Sequence, residues 1–331
     1  MPRVLVAIAV LICLSLSALA DEGNASADWF VKGNELLLQG RPEDAVAAYD
    51  LFLANDSRNV AALSNKAAAL TLLGSFQEAA GLCDEAIGIN ADYALAWSTK
   101  GDALAGLGQF QEAVSAYDRA LELNSEAAVT WFNKGVALGN MGRYDEAVQA
   151  YNESLRINPD MAEAWYNKGS TLSGLGRYED ALVAYDEALR INPDMPEAWS
   201  DKGMCLGILG RYNESLQALD QAISINPQLV EAWFNKGKAL FYQGRYNESI
   251  STLDEAIKIN PDLEQARYSK ALALNQSGRQ EEALQSLDEA LAINDQNAQA
   301  WAMKSALLQS LGRAGEAEQA LARARNLSYA G

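Results

Sequence analysis

Apolar residues recur at helical spacing along the chain, and residues 162–195 show the pattern well. The apolar face of a first predicted helix consists of residues at i, i+4 and i+7: Trp165, Gly169 and Leu172. The facing stripe of a second predicted helix consists of Ala181, Leu182, Tyr185, Ala188 and Leu189. Gly176 separates the two helices, because glycine adopts the positive φ that a helix C-terminus commonly needs. Asn192 and Pro193 end the second helix, since proline cannot continue it and asparagine tolerates a left-handed cap.

The same pattern returns every 34 residues. The tryptophans are separated by 34 residues or a multiple of 34: Trp29, Trp97, Trp131, Trp165, Trp199, Trp233 and Trp301. Leu63 and Arg267 occupy the two vacant places, and all nine repeats carry glycine at the place of Gly176. A fixed period of this length predicts a solenoid of stacked helix pairs, whose function lies in an extended groove.

The repeat resembles the tetratricopeptide repeat (TPR) family. The signature places of that family are filled in residues 162–195 by Trp165, Gly169, Leu172, Ala181, Tyr185, Ala188 and Pro193. The resemblance covers residues 26–331 and implies an all-α, right-handed superhelical solenoid of antiparallel helix pairs, with nine 34-residue units. Local departures are Ser57, Ala91, Ser125 and Asp295 for proline, and Leu219, Leu253, Leu287 and Leu321 for tyrosine. In repeat 9, the polar Glu318 and Arg325 replace aliphatic residues, so we expect a terminal cap and a finished array.

The first twenty residues do not follow the repeat. A basic residue, an uncharged apolar run and a small-residue site follow one another: Arg3, Val4 to Leu16, and Ala18-Leu19-Ala20. This order is typical of a secretory signal peptide, so we expect an exported protein, secreted or held in the cell envelope. The predicted organisation is a signal peptide at 1–20, a short linker at 21–25 and the solenoid at 26–331. The alternative is an uncleaved membrane anchor at residues 4–20, with the solenoid facing outward.

Composition removes several classes of function. The chain has 44 acidic and 26 basic residues and a formal charge of −18, so phosphate backbones would repel it and nucleic acid is not an expected partner. It has no histidine, the usual proton shuttle and metal ligand. It also has no cysteine cluster, phosphate-binding glycine loop or nucleophile elbow. Cys83 and Cys205 lie four repeats apart, too far for a disulfide. We therefore expect no enzyme activity, cofactor, metal or small-molecule substrate.

A row of amide side chains is the first candidate for binding. The resemblance implies that the second, non-core face of each first helix lines the groove and binds extended peptides. One place on that face is occupied by Asn65, Asn133, Asn167 and Asn235, with Asp201 in repeat 6. An amide both donates and accepts hydrogen bonds, so such a ladder could hold a peptide backbone of any sequence. The alternative is that these side chains satisfy local polar groups.

Aromatic and acidic residues mark repeats 4 to 7 as the candidate binding stretch. The place beside the asparagines holds Phe132, Tyr166, Phe234 and Tyr268, joined by Phe241 and Tyr242, and exposed aromatics in a groove serve as anchors. An acidic row one turn away consists of Glu163, Glu197 and Glu231. These carboxylates favour a basic, partly apolar ligand. The alternative is a solvated acidic face without a partner.

A row of lysines recurs at one place in all nine repeats: Lys32, Lys66, Lys100, Lys134, Lys168, Lys202, Lys236, Lys270 and Lys304. Seven of the preceding second helices supply a candidate partner: Asp50, Asp84, Asp118, Asp186, Asp220, Asp254 and Asp288. We interpret the row as structural, with each alkyl stem along the packed seam and each ammonium paired across a repeat boundary.

The sequence thus predicts a non-enzymatic interaction scaffold that holds a protein or an extended peptide outside the cytoplasm. Two alternatives stay open. One is the substrate-binding partner of a separate sugar transferase, and the other is a self-associating structural component of the envelope. A membrane is a partner only if the N-terminal segment stays uncleaved.

Overall fold

The chain folds into helix pairs joined by short turns. The computed structural model describes the backbone of residues 25–328 and the side chains of residues 28–327. Within that range it contains eighteen α-helices and no strand. The signal peptide predicted at 1–20 and the linker predicted at 21–25 lie outside the described residues, except that Ala25 begins the first helix. No helix in the described range is both long enough and apolar enough to cross a bilayer.

The helices fall into two compact blocks, divided between Gly176 and Arg177. The N-terminal block contains α1 (Ala25–Leu38), α2 (Pro42–Leu53), α3 (Val60–Leu72), α4 (Phe76–Ile89), α5 (Ala94–Gly106), α6 (Phe110–Leu123), α7 (Ala128–Asn140), α8 (Tyr144–Ile157) and α9 (Ala162–Gly174). The C-terminal block contains α10 (Tyr178–Ile191), α11 (Pro196–Ile208), α12 (Tyr212–Ile225), α13 (Val230–Tyr242), α14 (Tyr246–Ile259), α15 (Glu264–Gln276), α16 (Gln280–Ile293), α17 (Ala298–Ser310) and α18 (Ala314–Ser328). Odd-numbered helices are the first of their repeat. The predicted all-α fold with a 34-residue period is confirmed.

Glycine ends the first helix of every repeat. The nine glycines between the helices all have positive φ, from 69° at Gly40 to 81° at Gly278, as the sequence predicts. The asparagine after the second helix behaves differently from the prediction. Asn192 is extended, with φ −130° and ψ 97°, and its Oδ1 accepts the Asp194 N–H at 3.1 Å. The left-handed cap expected there is wrong, because the short side chain closes a turn over the following backbone instead.

The repeat tryptophan fixes the turn that precedes it. The Trp131 indole N–H donates to the Ser125 carbonyl at 2.9 Å, and Trp165 makes the same bond to Pro159 at 2.9 Å. In repeat 8 the guanidinium of Arg267 takes over this role and donates to the Pro261 carbonyl. Tryptophan therefore combines an apolar body with one polar contact to the turn.

A size match between the two helices of a repeat determines how closely they approach. A Cβ built on Gly135 would lie 2.6 Å from Cε1 of the buried Tyr151 ring. The same approach joins Gly101 to Tyr117, at 2.4 Å. Where the first helix carries alanine, as at Ala67 and Ala271, the facing place holds Cys83 or Leu287 instead of tyrosine. All four of these side chains are buried.

Ion pairs cross the boundary between successive repeats, as predicted for the lysine row. Seven Lys Nζ–Asp Oδ1 pairs lie at 2.5–2.6 Å: Lys66–Asp50, Lys100–Asp84, Lys134–Asp118, Lys202–Asp186, Lys236–Asp220, Lys270–Asp254 and Lys304–Asp288. The lysine side chains are largely covered, whereas the aspartates are about half exposed. The Nζ atoms of six lysines, five from these pairs and that of Lys168, also lie 4.7–5.7 Å from the ring centroid of the tryptophan three residues earlier. The hypothesis that the lysines pair with these aspartates is confirmed.

We expect Lys134→Met to lower the free energy of unfolding by about 1 kcal/mol, because an exposed ion pair and a partly exposed cation–π contact each contribute about that or less. Asp118→Asn keeps the cation–π contact with Trp131 and should cost less. Urea titrations at low and high salt measure both variants. A loss that is the same for both, and insensitive to salt, would contradict the division between the two contacts.

The remaining sequence expectations concern surface residues and cysteines. Glu318 and Arg325 of α18 are exposed, as expected for a polar outer face. Cys83 and Cys205 are buried, and neither forms a disulfide with a described residue.

Candidate functional site

The amide row does not form an exposed ladder in the N-terminal block. Asn65 is buried, and its Nδ2 donates to Asn34 Oδ1 at 2.8 Å. Asn133 is also buried, and its Nδ2 donates to Asp102 Oδ1 at 2.8 Å. Each amide thus links the first helices of two successive repeats. The prediction that these two side chains are open to a peptide is wrong. The first helix of the preceding repeat places a polar acceptor, Asn34 or Asp102, within hydrogen-bond distance of each amide.

The other members of the row differ in exposure. Asn167 in α9 is buried, whereas Asp201 in α11 and Asn235 in α13 are half-buried. Only Asn235 lies at a cavity described below. Its part in peptide binding stays a prediction.

The predicted aromatic anchors also differ in exposure. Phe132 is 1% exposed and packs on Tyr151, with ring centroids 6.0 Å apart. The expectation that Phe132 is an exposed anchor is wrong, because its ring completes the core beside the small Gly135. Tyr166 in the same block, and Phe234 and Tyr268 in the C-terminal block, are half-buried. Glu163, Glu197 and Glu231 are all exposed.

A buried carboxyl group in the N-terminal block was not predicted from the sequence. Asp102 in α5 is 6% exposed, and its Oδ1 accepts hydrogen bonds from Tyr117 Oη and Asn133 Nδ2, both at 2.8 Å. Burial raises the pKa of Asp102 from 3.8 to about 7, although these two hydrogen bonds act to lower it. In repeat 1 the neutral Asn34 accepts the same two bonds, from Tyr49 at 2.7 Å and Asn65 at 2.8 Å. The sequence does carry one sign of this buried carboxyl group. Asp102 occupies a place that is apolar in the neighbouring repeats, where it is Ala68 or Val136.

An open cavity in the C-terminal block is lined by residues of α11, α12 and α13. Its volume is about 280 Å³, less than the pockets that enclose a whole small ligand. Its lining includes the small residues Gly203, Gly207 and Ala239 and the larger apolar residues Met204 and Ile208. This volume suits one side chain of a longer segment.

Two tyrosines that line this cavity, Tyr212 and Tyr242, belong to a cluster of aromatic side chains. The rings of Tyr212 and Tyr242 stack with centroids 6.1 Å apart and an interplanar angle of 12°. Phe241 contacts Tyr242 edge-on at 5.4 Å and Tyr246 at 5.6 Å. Tyr242 is 61% exposed, and Ile208 across the cavity is 53% exposed. We call Ile208, Tyr212, Phe241, Tyr242 and Tyr246 the aromatic patch. Two exposed apolar side chains beside a cavity, Ile208 and Tyr242, are typical of a site that binds an apolar partner.

No constellation in the described residues suits metal binding. No group of three or more His, Cys, Asp or Glu side chains between residues 28 and 327 is arranged to hold an ion. What the aromatic patch and its cavity offer instead is apolar contact with a polar rim.

The fold and this surface define a class, that of the helical-repeat protein-interaction scaffolds. The comparisons identify the family. The tetratricopeptide repeat matches residues 30–94, 98–162, 132–196, 166–230 and 234–298, so the chain belongs to the tetratricopeptide repeat family. A search of curated proteins found no match.

Two solved structures illustrate the likeness. The chain is 28% identical to YrrB, a TPR protein with an unusual peptide-binding site, with a TM-score of 0.54 over 58% of this chain and 98% of YrrB. It is 17% identical to a chain of the APC/C hetero-tetramer Cut9–Hcn1, with a TM-score of 0.56 over 86% of this chain and 56% of that one. At 17% identity, the likeness to the Cut9–Hcn1 chain concerns the fold alone.

Proposed function

We propose that the protein is a non-enzymatic scaffold that binds an extended segment of a partner protein at the cavity and aromatic patch of repeats 6 and 7. The observation that carries the proposal is the aromatic patch beside its cavity. Large aromatic side chains around a small concavity are the usual anchoring points of protein interfaces. The likeness to YrrB supports a peptide ligand, since YrrB is described by its peptide-binding site and almost its whole length aligns with this chain.

Acidic side chains near the cavity indicate which charge the bound segment carries. Glu197 and Glu231 are exposed in the first turns of α11 and α13, two of the three helices that line the cavity. Carboxylates in these places favour a basic residue at that end of the bound segment. The proposed ligand is therefore apolar at the cavity and basic next to these glutamates.

The place of action is part of the proposal. The signal-like order of residues 1–20 supports a function outside the cytoplasm, with an outward-facing membrane anchor as the alternative. The binding surface is also compatible with the substrate-binding partner of a separate sugar transferase and with self-association in the envelope. Light scattering over a range of concentrations distinguishes self-association, which requires the mass to rise with concentration.

The test is a binding screen of the purified protein against extended peptides that share an apolar centre and differ in charge. We expect Tyr242→Ala to weaken binding of the best peptide about tenfold or more, because an exposed anchor at a concave site contributes over 1 kcal/mol. Tyr144→Ala removes a tyrosine from α8 that is 41% exposed and outside the aromatic patch, and serves as the matched control. Equal affinity of wild type and Tyr242→Ala for every bound peptide would contradict the proposed surface.

A further inference from the structure

Lys238 differs from the other lysines of its helix surface. Lys236, two residues earlier in α13, pairs with Asp220 at 2.6 Å. Lys238 is exposed and makes no ion pair with a described residue; its Nζ lies 5.5 Å from the Phe234 ring centroid. In a chain with an excess of 18 negative charges, a cation without a carboxylate partner is available to one from outside.

The cavity beside Lys238 is also without a carboxylate. Its polar lining consists of Lys238, Asn235, Ser215 and the two stacked tyrosines. The Ser215 hydroxyl is occupied, since it donates to the Gly203 carbonyl at 2.6 Å. Lysine can only donate, and the tyrosine and asparagine side chains can donate as well. A ligand that fits this rim brings acceptors, and beside an ammonium the best acceptor is a carboxylate.

We propose that the cavity binds an apolar side chain from a partner segment in which an Asp or Glu stands next to that side chain and pairs with Lys238. This proposal rests on the proposed function and deepens it by naming the residue types read at the cavity. Glu231 and Lys238 are seven residues apart in α13, about 10 Å along the helix. The segment is therefore acidic at the cavity and basic at the first turn of the helix, so its charge is divided rather than uniformly positive.

The test uses short labelled peptides in a neutral background, with a central Leu followed by Asp, Asn or Lys. Both termini are blocked, so that no terminal carboxylate can substitute for the side chain. Fluorescence polarisation gives the affinities for the full protein. We expect the Leu-Asp peptide to bind about fivefold more tightly than the Leu-Asn peptide at low salt, and this preference to shrink as salt is added.

Variants of Lys238 assign the preference to its ammonium. Lys238→Met should abolish the difference between the Asp and Asn peptides, and Lys238→Glu should reverse it in favour of the Lys peptide. The matched control is Lys258→Met, which removes an exposed lysine of α14 outside the cavity and should keep the preference. Lys238 is exposed, so circular dichroism is expected to show unchanged helicity in all three variants.

The outcomes separate the inference from the function on which it rests. Equal binding of the Asp and Asn peptides, or a preference that survives in Lys238→Met, overturns the role of the carboxylate. If Tyr242→Ala still weakens those peptides, the binding surface itself stands. If none of the peptides binds, in this set or in the charge-varied screen, both the inference and the proposed function fail.

Discussion

Replacing Gly135 by alanine is expected to lower the free energy of unfolding by about 1–3 kcal/mol, although alanine is the better helix former. The added methyl group would lie 2.6 Å from Cε1 and 2.8 Å from Cδ1 of Tyr151, a ring that is fully buried. Tyr151 cannot move away freely, because its buried ring also packs against Phe132. The two helices of repeat 4 must therefore separate, and the contacts around them are lost. Urea unfolding followed by circular dichroism measures the change.

Two further variants show whether the ring is the cause. Gly81→Ala places the same methyl group in α4, where nothing lies within 4 Å, so this variant should be as stable as wild type or slightly more stable. Gly135→Ala combined with Tyr151→Leu copies the buried pair Ala271 and Leu287 of repeat 8 and should recover part of the loss. A loss of equal size in Gly81→Ala, or no recovery in the double variant, would contradict the size match.

Replacing Asp102 by asparagine is expected to stabilise the protein above pH 7 and to remove one component of its pH dependence. The folded protein binds the Asp102 proton more tightly than the unfolded chain does, since burial raises the pKa from 3.8 to about 7. Its contribution to stability is therefore fully present below pH 3.8 and is lost as the pH rises to about 7, on the order of 4 kcal/mol. Asparagine carries no charge and can accept the same two hydrogen bonds, as Asn34 does in repeat 1.

The measurement is the free energy of unfolding of wild type and Asp102→Asn from pH 4 to pH 8.5. The two curves should meet near pH 4 and separate as the pH rises, with the variant more stable. The reciprocal variant Asn34→Asp should lose stability over the same pH window. Asp102→Ala leaves Tyr117 and Asn133 without their acceptor and should be less stable than Asp102→Asn at every pH, by about 1–3 kcal/mol. Parallel curves for wild type and Asp102→Asn would refute the raised pKa.

Periodicity predicted the parts of the fold that each repeat determines for itself. Glycine at the place of Gly176 predicts a positive φ, and an apolar stripe predicts which face of a helix is buried. The lysine row could be assigned to ion pairs for the same reason, because Lys134 and Asp118 recur at fixed places in a fixed geometry. These features depend on a residue and its near neighbours in one or two repeats.

The exposure of residues on the non-core face of each first helix could not be predicted from periodicity. Phe132 and Phe234 occupy equivalent places, yet Phe132 is buried and Phe234 is half-buried. Asn65 and Asn133 were assigned to ligand binding, but their amides donate hydrogen bonds to Asn34 and Asp102 instead. In each case the outcome depends on the side chain that the adjacent repeat places opposite, and this varies from repeat to repeat.

Because six of the indoles are hydrogen-bonded to the preceding turn, tryptophan fluorescence can report the state of single repeats. Tryptophan emission moves to longer wavelength when the ring enters water, and Trp131, Trp165 and Trp199 each hold one turn in the folded protein. Repeat 8 shows that an arginine, Arg267, can make the same contact without an indole. A series that keeps one tryptophan and replaces the others by arginine would therefore leave one emitting repeat at a time. Such a series would show in what order the repeats melt, a property that signals averaged over the chain conceal.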